Sequence, residues 1–149
     1  MAANAAPIIA ARCFRSFADA PVDFGRLLAD GQPILGNSKT WRGLFSAMAT
    51  TCLLAPPLGF TYVFGLVFGA LVMVGDLFSS FVKRRRGLAP SDQSLGLDQL
   101  PESLLPAIYA AVMTGMAWWW VLVLPLMFMA IQLLVSWPLY QLGIRKRPY

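Results

Sequence analysis

The chain contains no histidine and only two cysteines among 149 residues. Without histidine it lacks the commonest general base and the commonest zinc ligand, which argues against hydrolytic triads and zinc sites. Cys13 and Cys52 stand in unlike contexts with no metal-ligand spacing, so both are expected to be inert thiols with no disulfide. Charge is also scarce: 13% of residues are charged against 58% hydrophobic, and the mean hydropathy is +0.62. That is too apolar for a soluble domain of this size and predicts an all-α integral membrane protein. Residues 103–143 carry no charged side chain at all. Residues 1–11 lack the charged start of a signal peptide and are too short to cross a bilayer. They suit a surface-lying segment, or the tail of a spanning helix whose start is missing.

What charge there is falls in short clusters beside apolar runs. Residues 19–43 are polar and glycine-rich, with Asp19, Asp23, Arg26, Asp30, Lys39 and Arg42 among Gly25, Gly31, Gly36 and Gly43. Composition alone predicts an aqueous loop with tight turns, readable as a plain solvated linker. Residues 44–82 are too long for one crossing, about 58 Å of helix against a ~30 Å core, and Pro56, Pro57 and Gly59 supply a break. Helices are predicted over 44–55 and 61–82. The Gly65/Gly69 pair would let another helix approach closely. Residues 103–143 divide at Gly115 and three successive tryptophans, giving helices over 102–116 and 118–142, in which Pro106, Pro125 and Pro138 are tolerable. The resulting single membrane domain has an apolar segment (1–18), a loop (19–43), a helical hairpin (44–82), a second loop (83–102), a second hairpin (103–143) and a basic tail (144–149). Four crossings place both loops and the tail on one side, and all twelve Lys and Arg residues with them. The positive-inside rule makes that side cytoplasmic and explains the excess of five positive charges without nucleic acid.

The organising stretch is 75–103, where an apolar helix ends on an acid and a basic cluster and a polar loop leads through two more acids into the next helix. On a helix, Ser79, Ser80 and Lys83 share a side with Asp76 at i+3, i+4 and i+7. An acid within an apolar span marks a functional site by default. Asp98 and Glu102 stand at i and i+4, with Pro101 suited to a helix start, and with Asp76 they could hold Mg2+ between them. In the other loop, Gly36-Asn37-Ser38-Lys39-Thr40 joins backbone freedom, two hydroxyls and an ammonium just before a helix, a plausible phosphate cradle although not a Walker motif. Cations for phosphates and acids for a metal at one membrane face suggest phosphoryl chemistry. The bland alternative is a non-catalytic membrane scaffold or a subunit whose basic face binds anionic lipid, the Lys83–Arg86 run being then only a topology signal.

Several of these pieces together resemble the CDP-archaeol synthase family, itself related to the phosphatidate cytidylyltransferases. They are Val22-Asp23-Phe24-Gly25-Arg26, Asp30-Gly31, Gly36 through Gly43, Gly75-Asp76 with Ser80-Phe81-Val82-Lys83-Arg84-Arg85, and Asp98-Gln99-Leu100, in order and at family-like spacing. The resemblance implies a multi-spanning, Mg2+-dependent nucleotidyltransferase that joins CTP to a lipid phosphate, giving a CDP-lipid (CDP-archaeol or CDP-diacylglycerol-like) and pyrophosphate. It assigns Asp76, Asp98 and Lys83 to catalysis, with Ser38, Lys39, Thr40, Arg42, Lys83, Arg84 and Arg85 on the phosphates. Asp76, Asp98 and Glu102 become the metal ligands, Glu102 standing one place beyond Pro101, where related enzymes often have a second Asp. The implied partners are CTP, a membrane lipid phosphate and the bilayer, with room for a homodimer and no place for nucleic acid. Because a phosphate monoester is already ionised near neutral pH, the missing histidine is no obstacle. The spaced acid motif of CDP-alcohol phosphotransferases, which consume CDP-lipids, is absent.

Overall fold

The structure, a computed structural model, describes residues 19–88, 94 and 96–141, with the backbone alone for 136–140. The expectations for residues 1–11, for Cys13 and for the tail 144–149 lie outside the described residues.

Four α-helices follow one another: α1 Trp41–Leu54, α2 Tyr62–Arg85, α3 Gln99–Thr114 and α4 Trp120–Gln141. Local chemistry sets their ends. Thr40 is extended and its Oγ1 accepts a hydrogen bond from Gly43 N at 3.2 Å, so α1 begins three residues before the predicted start and takes Trp41, Arg42 and Gly43 out of the loop. Pro56 and Pro57 end it in a 3-10 turn, Pro56–Leu58, closed by Gly59 at φ 85°. Thr61 caps α2 in the same way as Thr40 caps α1, accepting from Phe64 N at 3.1 Å. At its other end α2 continues past residue 82 through Lys83, Arg84 and Arg85, cations that favour a helix C-terminus. Asp76 and Lys83 therefore stand on one unbroken helix. Gly115, at φ 68°, stops α3 beside the tryptophan turn.

Among the described residues the only extended pairing is two isolated bridges, Pro21 with Thr40 and Leu27 with Pro33. Consecutive helices pack in sequence order, α1 on α2, α2 on α3 and α3 on α4. The Gly65/Gly69 face receives α1: a Cβ would lie 2.9 Å from Cys52 Cα at the first glycine and 3.0 Å from Met48 Cα at the second. The buried core is small, Ala47, Val72 and Met73 with Leu44 and Phe68 against them. Large apolar side chains such as Leu53, Val63, Phe78, Val112 and Leu134 are left exposed, as they would be where hydrocarbon is the solvent. Four helices match the predicted number, but their lengths differ. Among the described residues only α2, with 24, is by itself long and apolar enough to cross a membrane, and the apolar part of α4, Trp120–Val135, is shorter.

Candidate active site

Residues 19–40 are not a plain solvated linker. Asp23 is buried, 6% exposed, and its carboxylate accepts hydrogen bonds from Gly25 N at 3.0 Å, Leu35 N at 2.8 Å and Gly36 N at 2.9 Å. Burial raises its pKa, but the amides of Gly36, Leu35 and Gly25 outweigh that and hold it below the usual carboxylate value. The loop then closes on itself: Val22 N donates to Lys39 O at 2.8 Å, Lys39 N to Gly36 O at 3.1 Å and Trp41 N to Ala20 O at 3.1 Å. Arg85, on the last turn of α2, ties down its outer end through Asp30 at 2.5 Å and Pro33 O at 2.6 Å. Asp30 is likewise held below the usual value, chiefly by the Gln32 amide and, against desolvation, by Arg85.

So anchored, the loop lays Ser38, Lys39 and Thr40 beside the polar part of α2. These residues line a cleft of about 200 Å³ together with Asp76, Glu102 and the apolar side chains of Val22, Leu44, Met73 and Leu77. Across it the Lys39 ammonium donates to both carboxylate oxygens of Asp76, at 2.7 and 2.5 Å. Two residues singled out in separate segments thus meet directly. Glu102, 8% exposed, is approached by Gln132 Nε2 of α4 at 3.5 Å.

The other predicted site residues are distributed around this cleft and do not line it. Lys83 Nζ lies 2.7 Å from Asp98 Oδ1, and the other Asp98 oxygen accepts from Ser94 N at 3.0 Å. Ser79 donates to Gly75 O and Leu97 O, and Ser80 to Asp76 O, so the two hydroxyls expected on the reactive face are used to fix backbone. Arg42 pairs with Asp19 at 2.5 Å, Arg85 serves the loop, and Arg84 is buried at 3% exposure. The three acids expected to share a metal ion are not gathered into one group of ligands among the described residues. Asp76 and Glu102 line the cleft, while Asp98 is turned to Lys83. Two carboxylates in one cleft fit Mg2+ as it is usually held, by one or two acids with substrate phosphates completing the shell.

A second, apolar groove of about 530 Å³ runs between the two hairpins, lined by Leu54, Phe64, Phe68, Ala107, Leu124, Phe128 and Ile131 among others. Glu102 lines it as well. Sequence reasoning missed Asp23 as the organiser of the loop and Gln132 as the neighbour of Glu102. The signal for Gln132 was present, since it is the one amide in the apolar stretch Trp120–Val135.

Known proteins resemble this chain in both sequence and fold. A solved structure described as an intramembrane enzyme for archaeal membrane lipids biosynthesis superposes with a TM-score of 0.75 at 27% identity, over 91% of this chain and 87% of that one. CDP-archaeol synthases are similar in sequence. That of Hyperthermus butylicus is 34% identical over 74% of this chain and 68% of its own length. The Staphylothermus marinus protein is 28% identical over 94% and 70%, and the Pyrococcus furiosus protein 38% identical over 65% and 60%. The chain thus spans between 60% and 70% of the length of these three relatives. The family model of CarS-like CDP-archaeol synthases matches residues 6–59 and 56–149. The chain belongs to the CDP-archaeol synthase family.

Proposed function

We propose that this protein transfers a cytidylyl group from CTP to the phosphate of a membrane lipid, making a CDP-activated lipid and pyrophosphate. The observation that carries this reading is the position of Glu102, which lines the polar cleft and the apolar groove at once. A lipid phosphate needs both surroundings within one molecule's reach, a charged one for its head and an apolar one for its chains. CDP-archaeol synthase relatives favour an ether-linked archaeol-type lipid over a diacylglycerol type.

On this reading a phosphate oxygen of the lipid attacks the α-phosphorus of CTP, and the bond from that phosphorus to the bridging oxygen breaks to release pyrophosphate. Lys39, with Ser38 and Thr40, binds the triphosphate at the mouth of α1, where the cleft's one lysine lies. Asp76 and Glu102 would hold Mg2+, which when bound neutralises triphosphate charge. Asp98 is a positioning residue that keeps Lys83 oriented along α2. No general base is required, because the attacking oxygen is already ionised. The protein sits in the cell membrane as a multi-pass chain with the cleft on the cytoplasmic face, where CTP is available. The test is to incubate the purified protein in lipid with radiolabelled CTP and a panel of lipid phosphates, with and without Mg2+. A labelled lipid product with archaeol phosphate supports the reading, a diacyl preference shifts the substrate class, and no labelled lipid with any acceptor rejects it.

A further inference from the structure

We infer that Lys39 changes partners when ligands enter, so that a divalent cation and the nucleoside triphosphate bind the cleft as a coupled unit. The inference rests on the nucleotide reading above and adds to it a rule for how the site fills. One ammonium contacts both Asp76 oxygens, so a cation that takes that carboxylate competes with Lys39 for its charge and its inner lone pairs. The pair is reachable, its side chains being 23% and 27% exposed.

The backbone of Lys39 does not need to move. Its N–H is held by Gly36 O and its carbonyl by Val22 N, so the exchange is a swing of the four-carbon stem alone. Lysine suits this better than arginine, because its compact ammonium sits on a flexible chain. A cation arriving alone costs Lys39 its ion pair and gives nothing back. A triphosphate arriving alone competes with Asp76 for the ammonium and meets a carboxylate in the same cleft. Arriving together, the cation replaces the ammonium on Asp76 and the phosphates receive the ammonium. Each ligand therefore strengthens the other, and linkage makes the coupling equal in both directions.

The Lys39→Met protein separates two roles for Lys39, partner exchange and nucleotide binding without exchange, by the sign of two binding changes. Mn2+ serves as a paramagnetic probe, and CTP binding is followed by calorimetry. Under exchange, Mn2+ alone binds the variant about two- to fivefold more tightly than wild type, the range set by a partly exposed ion pair. CTP in the presence of Mn2+ binds about 10- to 100-fold more weakly. Mn2+ affinity that is unchanged or lower in the variant, with CTP still weakened, overturns the exchange and leaves the nucleotide reading standing. No CTP binding by wild type under any condition overturns both. Should the variant not fold, acylation of the Lys39 amine in wild type, read by mass spectrometry, gives a separate measure. Mn2+ alone should raise its labelling and Mn2+ with CTP should suppress it, whereas labelling indifferent to Mn2+ rejects the exchange.

Discussion

Gly75 of α2 lies directly against the backbone of Glu102 at the start of α3, so the helices carrying the two cleft acids cross with no side chain between them. A Cβ on Gly75 would stand 2.5 Å from Glu102 Cα and closer still to the backbone of Pro101. Backbone cannot rotate out of the way as a side chain can. Gly75→Ala should therefore push α3 from α2, destabilise the protein by about 1–3 kcal/mol and lower turnover more than CTP affinity. Thermal unfolding in detergent together with steady-state kinetics would measure both, and a variant with wild-type stability and rate would show that this approach is not needed.

Asp76→Asn should reduce CDP-lipid formation by about 100-fold or more while leaving expression and membrane insertion unchanged. The substitution keeps the shape but removes the charge that both Lys39 and a divalent cation require. As a charge control, Arg86→Ala removes an exposed cation at the end of the same helix and should leave the rate near wild type. Near wild-type turnover in Asp76→Asn would take Asp76 out of the site.

Asp23→Asn should loosen the loop and not the helices. An amide cannot accept from Gly25, Leu35 and Gly36 as a carboxylate does, and the loss of charged acceptance costs about 1.5–3 kcal/mol. Because the folded pKa of Asp23 lies below its ordinary value of 3.8, its stabilisation is present above that value and is lost as pH falls through the lower, folded pKa. Limited proteolysis within 19–40 should be faster in Asp23→Asn at neutral pH. Wild type should approach the variant's rate only in acid below 3.8. Equal cleavage of both proteins at neutral pH would remove the anchoring role.

Topology can be read with single cysteines in a background lacking Cys13 and Cys52. Arg86→Cys should label from the cytoplasmic side and Ala117→Cys from the opposite one, since α3 alone lies between them and one crossing separates its two ends. Labelling of both from one side would contradict the four-crossing arrangement and move the cleft with it.

Much of this protein follows from its sequence alone. Low charge and long continuous apolar runs dictate helices, because a helix satisfies its backbone hydrogen bonds within its own segment without water, and the Pro56-Pro57 and Gly115 breaks fix how many there are. Local chemistry also marked Lys39, Asp76 and Glu102, since a charged group beside or within an apolar helix is costly and tends to be kept for a purpose. Helix ends were less legible: Thr40 as a cap and the cations at the end of α2 moved the boundaries by three residues each. Only the tertiary structure decided which charges meet. Lys39 finds Asp76 across 37 positions, Arg85 finds Asp30 across 55, and Asp98 is drawn to Lys83 and away from the other acids. Helical periodicity places side chains on a face but says nothing of what a folded loop brings to that face. The loop's shape depends on Asp23 gathering amides from 12 and 13 residues away, contacts that exist only once the chain has closed.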